Sequence, residues 1–226
     1  MGTTGRRERE KAKRREDILQ AARDVFFSEG SRRATIDDVA ARAEVSKGTV
    51  YLYFESKEAI LAHLVLEGID VLAGLLETAY APKKDLSADE RVRRLARAYF
   101  KFSKTYPQYF RLLMAFDHGR FREHVPASLY QEIAQRSLAS LHWVEQALEQ
   151  GRVSNDFAIG DARRAAGMWW ASLNGVLFLL DHPLRQEILG IPLETLFDST
   201  TELLLRGMEV HPAAQRSPKT QKGAQP

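Results

Sequence analysis

The sequence contains no cysteine. It therefore lacks the means to form a disulfide, a thiolate-ligated metal site or a cysteine nucleophile. No run approaches the roughly 20 consecutive apolar residues that span a bilayer, and no apolar segment follows the basic N-terminus as a signal peptide would require. These absences predict a cytoplasmic protein that does not enter a membrane.

No single sign of charge dominates the chain. Its 33 basic and 30 acidic side chains leave a net charge of +3, with the basic excess at the two ends and a mildly acidic middle. A basic end on an otherwise balanced protein is suited to contact with phosphate groups. Solvated tails have the same composition, so charge alone favours that less specific interpretation.

Catalytic and metal-binding motifs are also missing. The 6 histidines are scattered without the spacing of a helical metal pair, and there is no Gly-x-Ser-x-Gly elbow or phosphate-binding glycine loop. Asp117, His118 and His124 could share an ion across one loop, but an ordinary exposed loop is the simpler interpretation. We therefore expect a protein that is not an enzyme, with no catalytic residue, no metal and no cofactor.

Nearly every segment between the two ends has the apolar period of a helix rather than the alternation of a strand. Capping residues, glycines and prolines divide the chain into nine predicted helices, which gives an all-α fold. Residues 1–13 are polar and predict a flexible basic arm, and residues 212–226 predict a disordered tail.

The most informative stretch is residues 35–57, TIDDVAARAEVSKGTVYLYFESK. Two short predicted helices flank a turn in which Val45 can fill the angle between them. The second helix opens with small and polar residues, and its Gly48 costs roughly 1 kcal/mol of helix stability relative to alanine. That glycine permits close approach to a surface, and the DNA major groove admits such a helix. Spacing alone leaves open a plain helical hairpin with a polar outer face.

Residues 18–65 resemble the DNA-binding domain of the tetracycline-repressor (TetR) family. The resemblance is carried by ILQAARDVFFSEG, before the motif, and by ATIDDVAARAEVSKGTVYLYFESKEAIL, which contains it. It implies a helix-turn-helix domain over residues 14–73 and a helical effector-binding and dimerisation domain over residues 74–211. Glu44 departs from the pattern, because the family more often has glycine in the turn. A left-handed residue other than glycine costs on the order of 1 kcal/mol.

The resemblance assigns DNA contacts to seven positions around the two motif helices. Some would contact phosphates, helped at the first motif helix by its N-terminal dipole. These residues are Thr35, Tyr51, Tyr53 and Lys57. The others, Lys47, Gly48 and Thr49, would meet base edges or the adjacent backbone. The basic arm either enters a minor groove or adds only non-specific affinity as a solvated segment.

The region behind residue 73 is rich in aromatic residues. The resemblance implies a cavity here for a small effector, and aromatic walls suit a hydrophobic one. For any single side chain, ordinary core packing is the alternative to ligand contact. The residues selected for the cavity are Phe100, Phe110, Met114, Trp143, Trp169 and Asn174.

The last two predicted helices, over residues 161–181 and 193–209, carry apolar stripes and contain Gly175 and Gly207. In the TetR family such helices form a four-helix dimer interface with their copies, although an apolar stripe also suits an internal core. One short recognition helix contacts few bases. We therefore expect a twofold homodimer that binds two half-sites of a palindrome about 34–36 Å apart.

The expected function is that of a sequence-specific transcriptional regulator, and more narrowly a repressor that a hydrophobic small molecule releases from a palindromic operator in double-stranded DNA. The alternative is a non-specific architectural DNA-binding protein without an effector. An architectural protein does not need a large domain with an aromatic interior, and this favours regulation.

Overall fold

The computed structural model describes residues 3–80, 86–117, 124–180 and 182–210, and all the elements named in these ranges are α-helices. The all-α class is thereby confirmed. The helices are α1 (Thr3–Glu29), α2 (Ile36–Arg42), α3 (Lys47–Tyr51), α4 (Lys57–Tyr80), α5 (Ala88–Thr105), α6 (Pro107–Asp117), α7 (Ala127–Val153), α8 (Ala162–Leu180), α9 (Pro183–Leu189) and α10 (Leu193–Met208).

The N-terminal segment differs from its prediction. Residues 3–13, expected to be a flexible arm, form the first turns of α1. Residues 5–13 are all exposed, but most of the segment consists of good helix formers, and Arg6 Nε donates to Glu10 Oε1 one turn later at 2.8 Å. Local propensity and charge pairing thus extend the helix where the apolar period is absent. The predicted tail over 212–226 lies outside the described residues.

Helix α9 is an addition to the nine predicted helices. Pro183 stands at its first position, and Gly190 ends it in the left-handed region with φ of 61°. Proline just inside the start and glycine just past the end are typical helix boundaries. The sequence therefore contained both boundary signals of α9, although none of the residues of this helix is buried within the chain.

The buried side chains form two cores that share α4. The first core joins α1, α2 and α3 to the first part of α4, and Val50 and Leu64 are fully buried in it. The second core joins the rest of α4 to α5, α7, α8 and α10, around Leu72 and Leu173. Full burial of a leucine or valine side chain contributes about 1.5–3 kcal/mol. Helix α4 is therefore stabilised at both ends by different partners.

Helix α4 also corrects the expectation that no segment is apolar and long enough to cross a bilayer. By length and composition alone it meets that test, but most of its apolar stretch is buried inside the chain. The central helix of a globular domain meets the same test. Packing against two cores accounts for its apolar character.

Helix α6 lies between the two cores. Leu112 and Phe116 belong to the first core, whereas Phe110 and Met114 belong to the second. Residues two apart on an α-helix are rotated by about 200°, and residues four apart share a face. The two pairs therefore face opposite sides of α6, and each core packs against one of them.

A polar contact and a glycine join α6 to its neighbours. The Glu67 carboxylate accepts from Arg23 Nη2 at 2.8 Å, from Arg23 Nε at 3.0 Å and from the Tyr109 hydroxyl at 2.9 Å. Burial and, to a smaller extent, the Glu67 carboxylate together raise the pKa of Tyr109 to about 12, so the phenol remains a donor. Beside it, a Cβ on Gly68 would lie 2.7 Å from Leu113 Cδ1 and 3.1 Å from Tyr109 Cβ. Glu67 and Gly68 of α4 therefore contact both α1 and α6.

The turn between α7 and α8 depends on another glycine. The ring of Phe157 packs directly on the backbone of Gly151, where a Cβ would lie 2.1 Å from Phe157 Cδ2. The backbone N–H of Ala158 donates to the Met208 carbonyl at 2.6 Å. The turn is thus attached to the C-terminal end of α10.

Two glycines of α4 give a matched test of the close contact with α6. Gly74 has no neighbour within 4 Å of a built Cβ among the described residues. We expect Gly74→Ala to raise the free energy of unfolding by about 0.5–1 kcal/mol, because alanine is the better helix former. Gly68→Ala gains the same propensity but must displace Leu113 and press on Tyr109, and overpacking of this kind costs about 1–3 kcal/mol. Urea unfolding measures both, and stabilisation by both substitutions would contradict the close contact.

Candidate nucleic-acid interface and internal cavity

Helices α2 and α3 are the two arms of a helix-turn-helix, and each begins at a capping side chain. Asp38 N–H donates to Thr35 Oγ1 at 3.3 Å, while Thr35 N–H donates to the Asp38 carboxylate at 2.7 Å. Hydrogen bonds from Thr35 hold the pKa of the Asp38 carboxyl below its usual value. At α3, the Ser46 hydroxyl accepts from Thr49 N–H at 3.0 Å. These caps satisfy backbone donors that the first turn of a helix leaves free.

The turn between the two helices contains a left-handed residue. Glu44, which stands where the family more often has glycine, has φ of 54°. The next residue, Val45, donates its N–H to the Ala40 carbonyl at 3.0 Å and packs against the first core. The turn therefore accommodates a left-handed glutamate in this position.

The outer face of α3 is exposed, as predicted. Lys47 and Gly48 are exposed, Tyr51 is 47% exposed, and Val50 is buried on the opposite side. A Cβ built on Gly48 would meet only Ser46 Oγ, at an ordinary 3.7 Å. Packing within the described part of the chain therefore does not require a glycine here.

Lys47 has a partner within the chain. Its Nζ lies 2.8 Å from Asp37 Oδ2, and both side chains are largely exposed. The hydrogen bond and the charge of Asp37 raise the pKa of Lys47, which keeps the ammonium charged. Because an exposed pair contributes little stability, Asp37 can be exchanged for another anion at small cost.

Two of the residues predicted to contact phosphate, Lys57 and Tyr53, are less accessible than the others. Lys57 Nζ donates to the Ala34 carbonyl at 2.6 Å and lies 5.7 Å from the centre of the Phe26 ring. Tyr53 is half-buried against the first core, whereas Thr35 is exposed. In this conformation the ammonium of Lys57 therefore holds the loop before α2 in place.

A half-buried histidine of α4 packs against Phe54, just after the helix-turn-helix. His63 Nε2 lies 2.7 Å from Arg15 Nη2, and its ring meets the Phe54 ring edge-on at 5.6 Å. A guanidinium only donates, so this nitrogen accepts and the imidazole is neutral. Burial lowers the pKa of His63, and the charge of Arg15 lowers it further, against smaller opposing effects of Glu132 and Glu67.

An internal cavity of about 190 Å³ lies between α4, α6, α7 and α8, and Tyr99 of α5 also reaches it. The exposed residues of its lining mark the mouth. They are Asp117, Ser137, Leu138 and Trp170. The inner wall is apolar and includes Ile69, Leu72, Leu113, Met114, Val144 and Trp169.

Two of the six residues selected for the cavity, Met114 and Trp169, line it. Phe110 and Asn174 stand behind the lining residue Tyr99. The phenol of Tyr99 donates to Asn174 Oδ1, and its ring meets Phe110 edge-on at 6.3 Å. Burial raises the pKa of Tyr99, so this hydroxyl remains protonated.

The structure places Phe100 and Trp143 outside the cavity, which corrects the selection. Phe100 packs on Phe197 of α10 at 5.0 Å, and Trp143 packs on Tyr80 at 5.0 Å. Each is one residue away from a lining side chain, and one step along a helix turns a side chain by about 100°. Both aromatics therefore pack against other helices.

The comparisons with known proteins agree with this architecture. Residues 18–64 match the profile of the bacterial regulatory proteins, tetR family. The HTH-type transcriptional regulator RutR of Escherichia coli K12 is 27% identical over 173 residues, 75% of this chain and 76% of RutR. The HTH-type transcriptional repressor KstR2 of Mycolicibacterium smegmatis is 32% identical over 80 residues, 34% of this chain and 39% of KstR2.

Solved structures share the fold over nearly the whole chain. The MbdR regulator from Azoarcus sp. CIB has a TM-score of 0.64 at 26% identity and covers 86% of this chain and 98% of its own. FadR from Bacillus subtilis, crystallised with stearoyl-CoA, has a TM-score of 0.63 at 23% identity and covers 86% of this chain and 99% of its own.

The capped helix-turn-helix and the helical domain behind it define a class of transcriptional regulators. Residues 18–64 match the tetR family of bacterial regulatory proteins, and the resemblance found in the sequence is confirmed.

His63 predicts a pH dependence of stability. Its folded pKa lies below that of an unfolded histidine, about 6.5. Folding thus favours the neutral ring, so its stabilising effect is complete above about pH 6.5 and decreases as the pH falls further. We expect the free energy of unfolding to decline less between about pH 7 and 5 in His63→Gln, whose amide can accept from Arg15 without titrating. The exposed His142, replaced by glutamine, is the matched control in urea unfolding. An equal decline in all three proteins would rule out this role.

Proposed function

We propose that this chain is a homodimeric repressor that binds a palindromic operator through α3 and is released when a hydrophobic small molecule occupies the cavity. The observation that carries the proposal is α3 itself, a five-residue helix with an exposed polar start and a buried Val50 beneath it. Such a helix contributes little to its own core, and its outer face suits the major groove. We place this activity in the cytoplasm.

The proposed DNA surface comprises the seven residues assigned from the family resemblance. Lys47, Gly48, Thr49 and Tyr51 are on α3, Thr35 is at the start of α2, and Tyr53 and Lys57 follow α3. Residues 5–17 of α1 are almost all exposed and rich in arginine and lysine, which favours additional phosphate contacts. We propose a domain boundary near residue 73, in support of which Ile69 belongs to the first core and Leu72 to the second.

Exposed apolar side chains on the last three helices support the proposed homodimer. Met168 is 63% exposed, Leu179 49%, Ile188 73% and Leu203 71%. A Cβ built on Gly175 of α8 or on Gly207 of α10 would have no neighbour within 4 Å among the described residues, so packing within the described chain does not explain these glycines. An exposed apolar surface of this extent is typical of a protein interface. A second copy of the chain would cover α8 and α10, and α9 extends the same surface.

The apolar wall of the cavity supports a hydrophobic effector, and the stearoyl-CoA bound to FadR has a long apolar chain. Helix α4 is about 36 Å long at 1.5 Å per residue. It begins at Lys57 beside the helix-turn-helix, and Leu72 and Leu76 in its second half belong to the cavity wall. A ligand that prefers the conformation with the wrong half-site spacing would weaken DNA binding. Operator DNA would then weaken binding of the ligand by the same factor.

Selection from random double-stranded DNA, followed by fluorescence anisotropy at several salt concentrations, tests the proposal. We expect the selected sequences to contain inverted repeats with half-site centres about one or two helical turns apart. They should bind much more tightly than random DNA at the same salt concentration. An architectural protein, the alternative function, would show no such preference.

Substitutions on α3 should weaken operator binding and leave the fold intact. We expect Lys47→Ala to lower affinity and to reduce the slope of log affinity against log salt by about one unit, because one phosphate contact is lost. Tyr51→Phe should weaken binding by about tenfold through loss of a hydrogen bond to a charged group. Lys101, an exposed lysine of α5, provides the control Lys101→Ala. If both α3 variants bound the operator with native affinity, α3 would not be part of the DNA interface.

Charges on α8 or α10 should break the homodimer. We expect Leu179→Glu and Leu203→Glu to yield folded monomers that bind a single half-site weakly, because an unpaired charge in an interface is strongly unfavourable. Val153, a highly exposed apolar residue at the end of α7, gives the matched control Val153→Glu. Sedimentation velocity reports the assembly state. Intact dimers in both test variants would place the interface elsewhere.

A further inference from the structure

One of the residues that line the cavity, Trp169, has a buried hydrogen-bond donor without a partner among the described residues. Trp169 is 2% exposed and lines the cavity, and its indole Nε1 is buried without a hydrogen-bond partner among the described residues. An indole has this one donor and no acceptor, so its entire hydrogen-bonding capacity is unpaired. Buried polar atoms in this condition are uncommon and call for an explanation.

The other buried polar groups of the wall are engaged. Tyr99 donates to Asn174 Oδ1, and Ser140 Oγ donates to the Arg136 carbonyl at 3.1 Å. The buried part of the wall therefore has an unpaired donor in Trp169 and needs an acceptor from a ligand. A ligand group without an acceptor atom at that position would leave the donor unpaired.

The charges around the cavity determine which acceptor fits. Asp117 is the lining residue with a carboxylate, at the exposed mouth, and the described lining includes no lysine, arginine or histidine. A carboxylate or phosphate inside would have no counter-charge, and burial of an uncompensated anion is costly. A neutral carbonyl oxygen accepts a hydrogen bond without that cost.

The volume limits the buried part of such a ligand. An engineered apolar cavity of about 150 Å³ in another protein is known to bind benzene. A cavity of about 190 Å³ therefore matches one substituted ring or a branched chain of similar size. Any larger ligand would extend through the mouth beside Leu138 and Trp170.

We propose that Trp169 determines the ligand specificity of this cavity by donating its indole N–H to a neutral carbonyl oxygen, as found in a ketone, ester or thioester, on an otherwise apolar ligand. The part of the ligand inside the cavity is about the size of a substituted benzene ring. The inference deepens the effector role proposed above and rests on it for its biological meaning, but the contact itself does not require DNA.

Three ligands of equal size separate the possible chemistries. Acetophenone has a neutral carbonyl, cumene replaces it with an apolar branch of the same shape, and benzoate replaces it with a carboxylate. Calorimetric titration of the full chain without DNA should give acetophenone the highest affinity, about fivefold above cumene. In Trp169→Phe, which keeps an aromatic ring and removes the donor, the ratio of the two affinities should fall to about one. Trp143→Phe, the same substitution outside the cavity, should retain the native ratio.

Nuclear magnetic resonance gives a second measurement on the native protein. The indole N–H resonance of Trp169 can be assigned as the one unaffected by Trp143→Phe and Trp170→Phe, so the test does not depend on the Trp169 variant folding. Acetophenone should shift this resonance downfield, and cumene should not. Failure of acetophenone to bind, an unchanged affinity ratio in Trp169→Phe, or tighter binding of benzoate would overturn the inference.

The outcome is distinguishable from that of the proposed function. Acetophenone binding that depends on Trp169 but leaves operator affinity unchanged would support the inference and count against an effector role for the cavity. Failure to select any preferred DNA sequence would count against the repressor and leave the result at Trp169 intact.

Discussion

The fold depends on the constraint that α4 and α6 each belong to two cores at once. Ile69 and Leu72, less than one turn apart on α4, are buried in different cores, and α6 packs one face against each. The Glu67 carboxylate, bound by Arg23 and Tyr109, fixes α1 to the same place. The helix-turn-helix and the cavity therefore cannot change orientation independently, since either motion disturbs helices that pack in both cores.

Local features of the sequence predicted local structure well. The caps at Thr35 and Ser46 require only neighbours in sequence, and the two helices that they begin lie within the predicted stretch 35–57. The cavity was less predictable, because the face of a helix that lines it is set by packing against distant helices. Phe100 and Trp143 are adjacent to the lining residues Tyr99 and Val144, and periodicity within one helix does not distinguish such neighbours.

Several side chains proposed to contact DNA already have partners in the chain. Lys47 is paired with Asp37, and the Thr35 hydroxyl donates to the Asp38 carboxylate at 2.6 Å. The pairing of Thr35 with Asp38 is local in sequence, whereas Asp37 lies ten residues from Lys47 on another helix, and sequence reasoning had no means of finding that partner. Binding to phosphate would therefore exchange one anion for another, and the net gain from each contact is smaller than for a free cation. Affinity would then depend more on the geometry of the whole surface than on any one charge.

The contact between Gly151 and Phe157 has a consequence for the evolution of the chain. The ring occupies the space that any side chain at position 151 would need, at 2.1 Å from the built Cβ. A mutation at position 151 alone would displace the ring and the turn attached to α10, whereas a smaller residue at position 157 would first make room for it. Homologues that have lost this glycine should therefore also have lost the aromatic ring. The order of the two changes in a lineage is constrained as well, with the ring replaced before the glycine.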